Sequence, residues 1–140
     1  MTIFADMITL DDIRKPVTAE LEALDEFVDR QFTAEGELLS DMLRYALSAR
    51  GKGIRPMLVM LSAAMNAPVK GVAAGRRACL AAMLVEMIHV ASLIHDDVID
   101  EADMRRGKPS ANARWQSHKA VILGDYIPVS YTHLTLPTSD

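Results

Sequence analysis

Three short clusters carry residue types able to do chemistry. Asp96-Asp97-Val-Ile-Asp100 sets carboxylates at i, i+1 and i+4, which a helix would bring to one side. Mg²⁺ prefers hard oxygen ligands and commonly takes one or two carboxylates plus substrate phosphates. Two carboxylates one turn apart therefore suit Mg²⁺ shared with a diphosphate. Gly51-Lys52-Gly53-Ile54-Arg55-Pro56 places two cations and two glycines just before an expected helix start. Helix-terminal N–H groups favour an anion there, with Lys52 as a point charge and Arg55 as a bidentate fork. Arg105-Arg106-Gly107 adds a second cationic pair. Each cluster has a plainer reading: a solvated acidic helix end, a basic loop, a favourable end to a helix dipole. Together they describe a bowl for metal and two diphosphates.

The element that must position them runs through Glu86–Gly107. No Gly or Pro occurs between Gly75 and Gly107, which predicts one long helix. At about 100° per residue, Glu86, His89, Ser92, Asp96, Asp100 and Asp103 share a stripe, with Asp97 at its edge. The rest is almost entirely apolar, so the helix is expected to be buried with that stripe lining a cavity. Five carboxylates (Asp96, Asp97, Asp100, Glu101, Asp103) crowd its end, and like charges one turn apart repel. A cation should hold them.

Other helices are expected around it. Thr9 caps a short helix interrupted by Pro16. Val17, Leu21, Leu24 and Val28 mark an amphipathic helix ending near Phe32. A helix burying Leu39, Met42, Leu43 and Ala46 follows Gly36. Pro56 opens another, Met57–Met65, apolar nearly all round and expected to be buried, which Asn66-Ala-Pro68 ends. A basic linker, Lys70–Arg77, precedes the long helix; a loop from Gly107 to about Ala111 and a helix starting at Ala120–Ile127 follow it. No strand alternation appears, so the fold class is all-α.

Composition narrows the functions. The 140 residues are 50% apolar with a net charge of −4, enough for one domain's core and no argument for nucleic acid. The lone Cys79 argues for a reducing compartment. Asp6, Asp11 and Asp12 interrupt any signal peptide, and uninterrupted apolar runs are far short of the roughly 20 residues of a membrane span. A cytoplasmic protein without a membrane span is expected.

In order and spacing, Gly-Lys-x-x-Arg-Pro at 51–56, His89 before Asp96, Asp-Asp-x-x-Asp at 96–100, Arg-Arg-Gly at 105–107 and Gly-Asp-Tyr at 124–126 resemble the N-terminal part of the trans-isoprenyl diphosphate synthases, the polyprenyl synthetase family. The resemblance covers roughly residues 10–127. It implies the first helices of an isoprenoid-synthase-type bundle and a homodimer when complete. It further implies that Lys52, Arg55, His89 and Arg106 bind isopentenyl diphosphate and Arg105 an allylic prenyl diphosphate. Asp96 and Asp100 would hold Mg²⁺, with Asp97 beside them in the catalytic set. Small residues at Ala91 and Ser92, in the turn before Asp96, imply a medium- or long-chain product.

The family's second aspartate-rich motif is absent from this sequence, so the chain is expected to be a fragment, inactive alone. Residues 1–127 would be the N-terminal portion of one domain. Val129–Thr138 reads as a frame of the transposon mosaic-end adapter used in DNA library preparation, so residues 128–140 are expected to be a non-native tail. Rival readings fare worse. His95-Asp96 in a metal phosphohydrolase needs an upstream His, and none precedes His89; Glu86-x-x-His89 in a di-iron bundle needs a second such pair, and there is none. Glu86 and His89 could also be hydrogen-bonded core residues. A helical regulatory subunit of a heteromeric prenyl diphosphate synthase is the serious alternative; such a subunit would be expected to lose the aspartates retained here.

Overall fold

The computed structural model describes residues 8–31, 36–48, 51–67 and 75–135. Thr9 caps α1 (Leu10–Arg14) through a capping box: its hydroxyl accepts from the Asp12 N–H, and Asp12 accepts from the Thr9 N–H at 3.0 Å. Pro16 then forces one 3₁₀ turn, Lys15–Val17, before α2 (Thr18–Gln31). Gly36, at φ 90°, precedes α3 (Glu37–Ser48), and Gly53, at φ 62°, caps α4 (Ile54–Met65), with Pro56 in its first turn. Phe32, Pro68 and residues 70–74 of the expected linker lie outside the described residues.

Helix α5 (Arg76–Ile99) is the spine of the fold, packed chiefly on α4 and α7 (Ser117–Thr135). The core joins Val17, Leu21, Leu24 and Val28 to Met42, Leu43 and Ala46 of α3, Met57 and Met60 of α4, and Met83, Met87 and Ile94 of α5. The expected amphipathic positions of α2 and α3 are thus buried, except that Leu39 is only half-buried.

Several expectations need correction. Helix α5 stops at Ile99 rather than running toward Gly107. Glu101 adopts φ 50°, the Glu101 N–H donates to the Val98 carbonyl, and the Ala102 N–H donates to that of Asp97. This is a Schellman stop without glycine, so Asp103 leaves the stripe. A hairpin follows, β1 (Met104–Arg105) antiparallel to β2 (Lys108–Pro109). Next come a short helix, α6 (Ala111–Trp115), and α7, which starts three residues before Ala120. These are the only strands among the described residues, and the fold is all-α.

Burial is also less complete than expected. In α4, Leu58 is 54% exposed and Met65 85%. On α5 Val85, Ile88, Ser92, Asp96 and Ile99 form an open stripe. By length and composition Arg77–Ile99 could cross a membrane. The expectation of no span, argued from short uninterrupted runs, therefore does not carry to the whole helix. Helix α7 continues past Ile127 to Thr135 with Pro128 inside it; Pro128 has no N–H to offer the Gly124 carbonyl.

Candidate functional site

The hairpin sorts two adjacent arginines. Register pairs Arg105 with Lys108, leaving Arg106-Gly107 as a two-residue turn with φ 51° and 78°. Positive φ at both positions is the type I′ geometry that matches strand twist, and Gly107 meets it without a Cβ penalty. Arg105 is the last strand residue and Arg106 the first of the turn, and the two take different partners.

Arg105 turns to α5. Its Nε donates to Asp97 Oδ2 and its Nη2 to Oδ1, both at 2.7 Å, and the Asp97 side chain is 5% exposed. The Asp97 carboxylate raises the Arg105 guanidinium pKa further above its usual range. This bidentate pair sets a cation against the carboxylate-rich, electronegative end of α5. Asp97 is therefore committed to the hairpin, whereas Asp96 and Asp100 are exposed. Two of the five Arg105 donors are used, so others remain for an anion.

Arg106 joins the basic turn. A cleft of about 540 Å³ is lined by Gly51, Lys52, Gly53, Ile54, Arg55, Glu86, His89 and Arg106. Lys52, Arg55, His89 and Arg106, singled out from separate parts of the sequence, thus converge on one space. A Cβ on Gly51 would displace the Arg106 guanidinium from its present place. Burial, then neighbouring Arg55, holds the His89 imidazole below its ordinary pKa, while Glu86 pulls it upward and Arg106 and Arg105 push it down. At neutral pH it is an uncharged hydrogen-bonding group among cations.

The carboxylates offer a different chemistry. Among the described residues no three His, Cys, Asp or Glu side chains converge as a metal cage. Asp96 and Asp100, one turn apart and exposed, fit an ion that keeps waters and draws its remaining ligands from a phosphate. His89 and Asp96 are seven residues apart on α5, which is about 10 Å along the axis.

Two supporting features were not legible as such. His95 lies 3.2 Å from the Val121 carbonyl and 3.5 Å from Asp125 Oδ1, and a Cβ on Gly124 would occupy the place of its ring. Gly124-Asp125 is therefore the socket that seats α5 on α7 beside Asp96; a glycine inside a helical run was the available signal. Ser110, 2% exposed, caps α6 by accepting from Ala113 and donates to the Ala102 carbonyl at 2.6 Å, pinning the hairpin base.

The polyprenyl synthetase family model matches residues 36–137, starting later than residue 10 and running past Ile127. The nonaprenyl diphosphate synthase of Mycobacterium tuberculosis is 39% identical over 118 residues, 84% of this chain and 34% of that protein. Heptaprenyl diphosphate synthase component 2 of Geobacillus stearothermophilus is 40% identical over 108 residues, 77% of this chain and 32% of that protein. A polyprenyl synthase from Caulobacter crescentus, solved with calcium and isoprenyl diphosphate, superposes with a TM-score of 0.76 at 25% identity over 90% of this chain and 37% of that one. The chain spans about a third of the length of the curated relatives it matches. With the fold, the ordered motifs and the family match in agreement, the chain belongs to the polyprenyl synthetase family.

Proposed function

We propose that this chain is the N-terminal part of a Mg²⁺-dependent prenyltransferase that condenses isopentenyl diphosphate with an allylic prenyl diphosphate. The observation that carries the reading is the convergence of Lys52, Arg55, His89 and Arg106 on one cleft, with His89 on the helix that carries Asp96 and is capped by Asp100. In this reading the cleft grips the isopentenyl diphosphate, with cations meeting phosphate oxygens and neutral His89 donating a hydrogen bond. Asp96 and Asp100 would hold Mg²⁺, which when bound would neutralise the departing allylic diphosphate. The remaining donors of Arg105 would serve the same leaving group. Ionisation breaks the allylic C–O bond with its electron pair on oxygen. The isopentenyl double bond then closes the new C–C bond, and the adjacent carbon gives a proton to the released diphosphate, which restores a double bond.

Small Ala91 and Ser92 support a medium- or long-chain all-trans product. Ala91 is buried and Ser92 lies on the open face, so Ser92→Phe is the cleaner way to shorten the product; a phenylalanine at Ala91 would also overpack. We further propose a cytoplasmic homodimer for the complete enzyme, a non-native origin for residues 128–140, and no activity in the 140-residue chain alone, which carries one aspartate-rich motif. A second reading, a subunit of a heteromeric synthase, is favoured by the component 2 relative. The retained Asp96 and Asp100 make this the catalytic partner rather than a regulatory one.

The test is incorporation of radiolabelled isopentenyl diphosphate by the purified full-length protein with an allylic diphosphate and Mg²⁺. Incorporation that EDTA abolishes is expected. None, with or without a second subunit, would sink the prenyltransferase reading. Incorporation only on adding a second subunit selects the heteromer, and incorporation by the 140-residue chain would overturn its inactivity.

A further inference from the structure

Glu86 is 5% exposed, and its Oε2 has no hydrogen-bond partner among the described residues. A carboxylate oxygen buried in that state is costly, and removing it should by itself stabilise the fold. Glu86 borders three clefts, of about 40, 240 and 540 Å³; Gly51 borders all three, and Lys52 and Gly53 the two larger. The basic turn before α4 and this carboxylate on α5 therefore face each other across open space on two sides. Two cations each share two of these clefts with Glu86: Lys52 the two larger, and Arg106 the smallest and the largest. The Arg106 guanidinium packs on Gly51 and is already engaged. Among the described residues Lys52 makes no ion pair.

We infer that Glu86 is a positioning residue that acts through Lys52. With a diphosphate in the largest cleft, the Lys52 ammonium donates to Glu86 Oε2 and to a phosphate oxygen together, holding the Gly51–Gly53 turn closed on the ligand. An ammonium has three donors and no acceptor, so one Lys52 serves both anions. The inference rests on the proposed reading of that cleft as the isopentenyl diphosphate site. It makes a prediction opposite in sign to simple charge counting. Deleting an anion beside a diphosphate site should tighten binding; deleting the anchor of Lys52 should weaken it.

The experiment is a double-mutant cycle in the full-length enzyme with Glu86→Gln, Lys52→Ala and both together. We expect Glu86→Gln to raise the isopentenyl diphosphate KM about tenfold, the worth of one charge-assisted hydrogen bond. Its kcat and allylic KM should stay near wild type, and its melting temperature should hold or rise. In the Lys52→Ala background, Glu86→Gln should change the isopentenyl KM no further. If Lys52→Ala raises that KM while Glu86→Gln leaves it unchanged or lowers it, the positioning role is overturned and the cleft assignment stands. Equal effects of Glu86→Gln in both backgrounds also overturn it, because Lys52 is then not the intermediary. If Lys52→Ala leaves that KM unchanged, the cleft assignment falls and this inference with it. Should Glu86→Gln fail to fold, Glu86→Asp keeps the charge but falls one methylene short of Lys52. It should raise the same KM by a smaller factor, and a wild-type KM overturns the role.

Discussion

The two functional ends of α5 are built from the same helix and end in different states. At Glu86 and His89 the helix is walled: the Gly51–Arg55 turn lies opposite, and the hairpin brings Arg106 back to close the side. At Asp96 and Asp100, about two turns on, the side chains are exposed beside Ile99, which is 76% exposed, and have no facing wall among the described residues. Asp97 belongs to neither, because Arg105 holds it in the hairpin. Helical spacing alone thus supplies ligands, but a pocket appears only where another segment of the chain folds back over them. The hairpin does this for the cationic end, giving Arg105 to Asp97 and Arg106 to the cleft.

The largest expected effect is at the open end. In the full-length enzyme, Asp96→Ala or Asp100→Ala should lower turnover by several orders of magnitude, because the leaving diphosphate loses its metal. Both side chains are exposed, so melting should shift little. Wild-type turnover in either variant would remove the metal assignment. Asp97→Ala should do the reverse first: it strands Arg105 and should destabilise the fold by about 3 kcal/mol, read as a lower denaturant midpoint. Stability unchanged in Asp97→Ala would mean that the hairpin is not held by this pair. At the walled end, Lys52→Ala and Arg55→Ala each remove a charge-assisted contact of about 1.5–3 kcal/mol. They should raise the isopentenyl diphosphate KM by about ten- to hundredfold and leave the allylic KM nearly unchanged. Equal effects on both substrates would argue that the two ends of α5 are one pocket.

Much of this was legible because the relevant signals were local. Thr9 with Asp12, Pro16, Gly36 and Pro56 each state a boundary in their own backbone chemistry, and the structure places α1 to α4 accordingly. The end of α5 was hidden for a physical reason. Its stop puts Glu101 rather than glycine in the left-handed conformation, a strain of about 1–2 kcal/mol that nothing in the sequence announces. The hairpin contacts formed on folding offset it. The same blind spot concealed the Asp97–Arg105 pair, which depends on a two-residue-per-strand ribbon too short to show alternation; the separate roles of Arg105 and Arg106 came from the family resemblance alone. Glu86 was visible only as a polar residue on a helix; its orphaned oxygen is a tertiary property.

Gly124 sharpens the comparison from outside α5. A methyl group there would take the place of the His95 imidazole, which packs against the Val121 carbonyl. Gly124→Ala should therefore force the His95 ring out of its seat and cost about 1–3 kcal/mol, as overpacking does. Asp96 adjoins the displaced residue, so turnover should fall more than isopentenyl KM rises. A melting temperature at or above wild type would show that His95 is not seated in that gap, alanine being otherwise the better helix former.

The smallest effect tests whether the walled end excludes water. His89 is half-buried, and burial first, then Arg55, lowers its pKa below the ordinary 6.5. The unfolded chain therefore binds a proton more readily than the folded one. Between the folded pKa and 6.5 the unfolded state holds more protons, so stability falls as pH drops through that window and levels off beneath it. Melting of the full-length protein from about pH 7.5 down to about pH 5.5 should show a decline that His89→Gln, which cannot titrate there, makes shallower. Inorganic diphosphate at saturation should reduce the same decline, because an anion in the cleft favours the imidazolium and raises the folded pKa. If wild type and His89→Gln lose stability in parallel, His89 sits in water. The contrast between a walled cationic end and an open carboxylate end would then be lost.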